Sequence, residues 1–117
     1  MGPEPDGAAA FLEAAGADVL GLNCGTNIDM ARALAAVQRY RECSALPIMA
    51  QPNAGKPVLQ NLKVIYNQAP DEMAAQAGDM LEAGVAILGA CCGSTPAHIA
   101  GLRGRMNQFI ETQPQIG

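Results

Sequence analysis

Apolar and polar positions follow one another in blocks along this chain, and each block predicts one element of secondary structure. Three short apolar runs predict buried strands, because each is bounded by turn residues and is too short for a helix. Around these runs, apolar residues recur every three or four positions, which is the spacing of one face of a helix. The predicted strands are residues 18–23, 47–51 and 85–89, and the predicted helices are residues 3–15, 27–43, 70–83 and 96–111.

Local residue types predict where these elements begin and end. Thr26 with Asp29 three residues later resembles a capping box, and Pro96 suits the first position of the last helix. Residues 58–69 are the least readable part and are expected to be short extended pieces in a long loop, while residues 112–117 are expected to fray. The last helix is expected to direct its apolar residues to the core, namely Ile99, Leu102, Met106 and Phe109 or Ile110.

Strands that alternate with helices predict right-handed crossovers in a parallel sheet, so the expected fold class is α/β with parallel βα units. Half of the residues are apolar but only 3% are aromatic, a composition that suits helices packed closely on parallel strands. A length of 117 residues predicts a single domain over residues 1–117.

Charge and hydropathy narrow the range of partners. The net charge is −4 with seven basic residues spread over several segments, so no nucleic-acid partner is expected. The sequence has no secretion leader and no apolar run long enough to span a bilayer, which predicts a cytoplasmic protein without membrane contact. In a reducing compartment four cysteines favour metal binding or catalysis, although two disulfides remain open for a secreted protein.

Two adjacent cysteines, Cys91 and Cys92, stand where a predicted strand ends and a predicted helix begins. The positive end of the helix dipole favours thiolate over thiol at such a position. The sequence also contains an internal repeat, which is called the internal echo here. Residues 12–26 match residues 81–95 with single-residue gaps, and each copy has Cys-Gly near its end. The echo places Cys24 at the end of the first strand as Cys91 and Cys92 are placed at the end of the third.

In a parallel sheet these three thiols share one edge, with one strand between them. The separation of first and third strands is roughly 10 Å, which side chains leaning inward can bridge through one zinc ion with Zn–S bonds of about 2.3 Å. Three thiolates leave a fourth position open, as in catalytic zinc sites. Asn23 and Asn53 are expected on the same edge and are candidates for orienting a substrate, although Asn is also common in turns.

Other interpretations of these residues carry less weight. A redox role for Cys91 and Cys92 is disfavoured because adjacent cysteines rarely form unstrained disulfides. Cys43 is expected to be structural, since it ends a helix at the opposite edge of the sheet. His98 is expected to cap the last helix or to face solvent rather than to bind metal.

Three motifs carry a family resemblance that covers nearly the whole chain. In their order and spacing they resemble the C-terminal half of the homocysteine S-methyltransferase domain, and the Pro-Asn-Ala-Gly loop is most similar to the homocysteine module of cobalamin-dependent methionine synthase. Ala90 and Ala97 depart from the Gly and Glu usual in the family. The motifs are Gly21-Leu22-Asn23-Cys24-Gly25, Gln51-Pro52-Asn53-Ala54-Gly55 and Gly89-Ala90-Cys91-Cys92-Gly93-Ser94-Thr95-Pro96-Ala97-His98-Ile99.

The resemblance implies the C-terminal part of a (βα)8 TIM-type barrel whose Zn²⁺ is held by Cys24, Cys91 and Cys92. It also implies a reaction in which the homocysteine thiol takes the open zinc position, loses its proton and attacks an electrophilic methyl group to give methionine. The implied methyl donors are a corrinoid (methylcobalamin) on another domain or protein, S-methylmethionine or another onium compound.

A full barrel takes about 250 residues, whereas about three strands are predicted here. The expected partners are therefore homocysteine, a methyl donor or donor-carrying domain, and either another chain or the missing N-terminal half of the barrel. Whether the isolated chain is active stays open. A non-catalytic zinc-binding or assembly fragment that retains the three thiolates is the alternative.

Overall fold

The computed structural model describes residues 4–23 and 28–112 and has the predicted α/β architecture. Within these residues each expected helix and each expected strand is present, with ends that differ from the predicted ones by a few residues. The elements are α1 (Pro5–Ala14), β1 (Leu20–Leu22), α2 (Met30–Cys43), β2 (Ile48–Ala50), β3 (Pro57–Gln60), β4 (Lys63–Tyr66), α3 (Pro70–Glu82), β5 (Val85–Leu88) and α4 (Pro96–Thr112). The frayed tail predicted at residues 112–117 falls largely outside the described residues and stays a prediction.

β1, β2 and β5 form a parallel sheet in the order β1-β2-β5, as predicted. Leu20, Ile48 and Val85 lie side by side in this sheet and are all buried beneath the helices. The register shifts between Ile48 and Met49, so Met49 pairs with Ile87. Side chains alternate along β2, so Met49 lies on the face opposite to Ile48, and its partner after the shift, Ile87, is 50% exposed.

The core lies between this sheet and the helix layer. α2 and α3 contribute mainly small and flexible side chains, and Tyr40 of α2 is the one aromatic side chain among the buried residues of this cluster in the described chain. α4 contributes Leu102, which is 2% exposed, but Ile99 is 47% exposed, so the prediction that Ile99 faces the core is wrong. The reason is that β5 is at the edge of the sheet in the described part of the chain, where Ile99 lines an open pocket with Ile87 and Arg103. The helix residues buried in this core cluster are Ala9, Met30, Ala33, Val37, Tyr40, Met73, Ala77, Met80 and Leu102.

α2 begins later than predicted. Asp29 is the N-cap of this helix, and its carboxylate accepts a hydrogen bond of 3.0 Å from the Arg32 N–H. The predicted capping box assigned the N-cap to Thr26, which lies outside the described residues, whereas Ile28 and Asp29 are described and are not helical. The predicted helix start at residue 27 is therefore wrong, because Asp29 caps the helix itself.

The long loop predicted over residues 58–69 contains an antiparallel hairpin formed by β3 and β4. Its two-residue turn is Asn61-Leu62, and both residues have left-handed φ values of 50° and 63°. Such turns usually contain Asn-Gly, and the absence of that glycine is why the hairpin is hard to read from sequence. Leu62 at the tip is 94% exposed.

Among residues 4–23 and 28–112, no helix has both the length and the apolar character that a membrane span requires.

Replacing the turn leucine tests the hairpin. Leu62→Gly should raise the free energy of unfolding by about 1 kcal/mol, because glycine adopts a left-handed conformation without the steric cost that leucine has there. Leu59→Gly, in β3, should lower it by about 0.5–1 kcal/mol. Urea denaturation measures both, and equal destabilisation by the two variants would contradict the turn assignment.

The Tyr40 hydroxyl, which donates a 3.1 Å hydrogen bond to the Gly21 carbonyl, ties α2 to β1. Burial raises the pKa of the Tyr40 phenol above its usual value of 10.0, so folding favours the neutral form. This stabilisation is complete below the unfolded pKa and is lost as pH rises through the folded pKa.

Unfolding measured between pH 9 and pH 11 should therefore show a smaller loss of stability in Tyr40→Phe than in the wild type. Tyr66→Phe, made in the hairpin, serves as the comparison. An identical alkaline profile for Tyr40→Phe and the wild type would contradict a buried, neutral Tyr40.

Candidate functional site

The segment after β5 runs alongside the segment after β2, beyond the ends of both strands. Backbone hydrogen bonds continue between the two segments, so the carboxyl-end loops of β2 and β5 are held together as an extension of the sheet. Two of the three bonds involve the adjacent cysteines. The bonds run from Gly89 N to Ala50 O (2.9 Å), from Cys91 N to Pro52 O (2.9 Å) and from Ala54 N to Cys92 O (3.0 Å).

The thiols of Cys91 and Cys92 lie together at this edge. Their sulfur atoms are 4.0 Å apart, well beyond the about 2.05 Å of a disulfide bond. Cys91 is half-buried and Cys92 is exposed. Two thiolates on one tetrahedral zinc, with Zn–S bonds of about 2.3 Å, lie about 3.8 Å apart. The observed separation therefore fits two ligands of one zinc ion.

A tight turn follows the two cysteines. Ser94 donates hydrogen bonds to the Cys91 carbonyl from its backbone N–H (3.2 Å) and from its hydroxyl. Gly93 has a left-handed φ of 78°, and a Cβ built on it would overlap Cγ of Tyr66. A side chain at position 93 is thus excluded by backbone conformation and by contact with the hairpin residue Tyr66.

Asn53 joins three segments at this edge. It is only 3% exposed, and its Oδ1 accepts a 3.1 Å hydrogen bond from the Cys92 N–H. Its own backbone N–H donates a 2.8 Å hydrogen bond to the carbonyl of Ile28, four residues after Cys24. The sequence predicted that Asn53 orients a substrate. The structure shows its carboxamide oxygen holding the backbone of Cys92, and its role toward a substrate stays a prediction.

Cys24 lies outside the described residues, so its predicted role as a zinc ligand stays a prediction. Asn23, immediately before it, is exposed at the end of β1. Leu22 accepts a 3.0 Å hydrogen bond from the Gln51 N–H, which aligns the end of β1 with the end of β2. A shallow pocket of about 280 Å³ lies at this point, and it is lined by Gly21, Leu22, Asn23, Met49 and Gln51. The strand before Cys24 therefore ends on the same edge as the strand before Cys91.

In the described ranges 4–23 and 28–112, no three side chains of His, Cys, Asp or Glu are grouped closely enough to hold a metal ion. Cys91 and Cys92 supply two thiols, and the predicted third ligand is Cys24. Thiolate ligands and the sulfur separation both fit zinc.

The sequence predicted only part of the structural role of His98. It caps α4, as one interpretation predicted, because Nδ1 accepts a 3.1 Å hydrogen bond from the Thr95 N–H. The alternative that it faces solvent is wrong, since His98 is 6% exposed and its Nε2 lies 2.8 Å from the Gln68 carbonyl oxygen. The signal that could have found it is the Thr-Pro-Ala-His spacing, which places a ring acceptor three residues after the N-cap.

Cys43 ends α2 at the opposite edge of the sheet, as predicted, but it is exposed, so the expectation that it packs as a small buried structural residue is wrong. This position makes it a suitable control residue for experiments on the thiols.

Comparisons with known proteins agree with the residue pattern. The family described as Homocysteine S-methyltransferase matches residues 1–106. Methionine synthase from Mycobacterium tuberculosis is 41% identical over 101 residues, which cover 85% of this chain and 8% of that protein. Homocysteine S-methyltransferase from Escherichia coli is 34% identical over 90 residues, which cover 74% of this chain and 27% of that protein.

Among solved structures, the oxidized form of the homocysteine methyltransferase MmuM from Escherichia coli superposes with a TM-score of 0.64 at 29% identity. The match covers 89% of this chain and 30% of that one. The chain thus spans less than a third of the length of each of these relatives.

Three glycines provide a matched test of the turn at Gly93. Gly93→Ala should destabilise the fold by more than about 2 kcal/mol, because the left-handed backbone and the contact with Tyr66 add together. Gly16→Ala, with φ of 99° and no described atom within 4 Å of the added Cβ, should cost about 1 kcal/mol. Gly104→Ala, in α4 with the same open space among described residues, should stabilise by up to about 1 kcal/mol.

Urea denaturation ranks the three variants. A Gly93→Ala variant no less stable than Gly16→Ala would contradict the packing of Tyr66 against this turn.

Proposed function

The chain belongs to the homocysteine S-methyltransferase family, and from that premise we propose that it supplies the zinc-binding part of a site for methyl transfer to the thiol of homocysteine, giving methionine. The observation that carries the proposal is the pair of sulfur atoms 4.0 Å apart at the carboxyl end of β5. β1, which ends immediately before Asn23 and Cys24, ends on the same edge. These positions agree with a three-thiolate site.

In this proposal Cys24, Cys91 and Cys92 hold the ion. Zinc, when bound, supplies a Lewis acid that favours the thiolate form of a coordinated thiol. The protein's own contribution is to hold its sulfur atoms in place before substrate arrives. Asn53 does this through the Cys92 N–H, and Ser94 does it through the Cys91 carbonyl.

The substrate side of the site is proposed to include Asn23 and Asn53. The exposed amide of Asn23 borders the pocket at the end of β1 and is suited to hydrogen bonding with the polar end of an amino acid. Asn53 is proposed to affect the substrate by fixing Cys92. The apolar wall formed by Met49 suits the methylene groups of homocysteine.

Completion of the site is proposed to need further βα units, in another chain or in an N-terminal half of the barrel. β1 and β5 each have one unpaired edge within the described residues. Apolar side chains lie exposed on both sides, with Phe11 72% exposed on α1, the helix that contacts β1, and Ile87 50% exposed on β5. Pairing of these edges would bury that surface and add groups to the pocket. The methyl donor is proposed to be a small molecule or a corrinoid such as methylcobalamin on another domain or protein.

The same exposed edges favour a second candidate function. A chain that binds zinc through three thiolates but does not complete the substrate pocket would be a non-catalytic zinc-binding or assembly unit.

Metal content tests the proposed ligands. Purified under reducing conditions, the chain should hold about one zinc per molecule, and both Cys24→Ser and Cys92→Ser should lose most of it because each removes a thiolate ligand. Cys43→Ser is the matched control and should keep the wild-type content. A zinc-free wild type, or equal zinc in all four proteins, would contradict the three-thiolate site.

Methyl transfer separates the two candidate functions. Homocysteine-dependent formation of methionine from methylcobalamin or S-methylmethionine is measured with the chain alone and with the N-terminal segment of the Escherichia coli relative added. Turnover that appears or rises on addition supports a shared methyl-transfer site. Bound zinc without turnover in either mixture supports the non-catalytic candidate.

A further inference from the structure

We propose that His98 is a positioning residue for the thiol site, acting by closing a ring of hydrogen bonds that holds the backbone of Cys92. The inference rests on the proposed function, because the site it serves is the proposed zinc site. It concerns a buried imidazole that neither the proposed metal ligands nor the proposed substrate contacts include.

The bonding of His98 defines its tautomer. The Thr95 backbone N–H can only donate, so Nδ1 accepts from it and carries no proton, and the Thr95 hydroxyl, 2.9 Å from the same nitrogen, then donates to it as well. The Gln68 carbonyl can only accept, so Nε2 carries the proton and donates to it across 2.8 Å. Both ring nitrogens are thereby engaged, which makes His98 a connector rather than a metal ligand.

The closed cycle of hydrogen bonds that includes His98 passes through three segments of the chain. Nε2 of His98 binds the carbonyl of Gln68, and the Gln68 N–H donates a 3.1 Å hydrogen bond to the carbonyl of Ala54. The Ala54 N–H in turn donates a 3.0 Å hydrogen bond to the carbonyl of Cys92. From Cys92 the chain returns covalently, through only two residues, to Thr95, which donates to Nδ1 of His98.

Capping of α4 alone does not account for this arrangement. A cap requires an acceptor for the Thr95 N–H, which Nδ1 provides, whereas the bond from Nε2 to Gln68 reaches 30 residues back along the chain. That bond ties the end of the β2–α3 loop to the start of α4. The two ends of the Cys91–Cys92 turn are therefore held against the same loop, at one end by Ala54 and at the other by His98.

Two substitutions test this connector. His98→Asn keeps an acceptor close to the position of Nδ1 and removes the donor to Gln68. His98→Gln keeps a donor close to the position of Nε2 and, as a Gln three residues after the N-cap, is still able to cap α4, so the pair isolates the bond to Gln68. Ser44→Ala is the matched control, since it removes hydrogen bonds to Glu13 and Leu46 at the opposite edge of the sheet.

Amide hydrogen exchange is measured first, in the reduced, metal-free chain. His98→Asn should speed exchange of the Ala54, Gln68 and Cys92 amides by about tenfold or more, with α3 core amides unchanged, and His98→Gln should restore much of the protection. Titration with Co²⁺ then follows thiolate coordination by its absorption bands. His98→Asn should weaken Co²⁺ binding by about tenfold, with His98→Gln closer to wild type and Ser44→Ala equal to it.

Equal effects of Asn and Gln, or unchanged exchange at Cys92 in His98→Asn, would overturn the proposal. If the wild type binds no Co²⁺ but the two His98 variants show the expected exchange pattern, the positioning role of His98 stands and the proposed zinc site is wrong.

A measurement on the wild type covers the case in which neither variant folds. Nitrogen NMR of the His98 ring should show the Nε2–H tautomer with a ring proton protected from exchange. The Nδ1–H tautomer, or a rapidly exchanging ring proton, would overturn the proposal without any variant.

Discussion

The backbone pairing between the loops after β2 and β5 is the interaction on which the site depends. Hydrogen bonds from Cys91 to Pro52 and from Ala54 to Cys92 carry the sheet past the ends of its strands. Buried backbone groups must be paired, so these loops have little freedom once the strands are in register. Asn53 adds a side-chain bond to the same backbone, and the two thiols are consequently presented by a rigid extension of the sheet rather than by a mobile loop.

The parallel sheet and its strand order were predictable because short apolar runs separated by amphipathic helices leave few topologies open. The shared edge of Asn23 and Cys91 follows from that topology. The hairpin was less predictable, since its turn is Asn61-Leu62 rather than a glycine-containing turn. The bonds of Asn53 and His98 were not predictable from local patterns, because their partners, Cys92 and Gln68, lie 39 and 30 residues away in the chain.

The open edge of the sheet at β5 explains why the prediction that Ile99 faces the core was wrong. Ile99 has the spacing of a core residue in α4, but β5, the strand before this helix, is at the edge of the sheet. In the described residues that side is open, and Ile99 remains 47% exposed. Covering of this side by further βα units belongs to the proposed function, and the chain matches 30% of the MmuM chain.

X-ray absorption at the zinc edge tests the central claim most directly, because it counts sulfur ligands regardless of turnover. The zinc-loaded chain should show three sulfur atoms at about 2.3 Å and one lighter atom, and homocysteine should replace the lighter atom with a fourth sulfur. Two or fewer sulfur ligands before homocysteine is added, or a sulfur count that homocysteine leaves unchanged, would contradict the account of an open three-thiolate site.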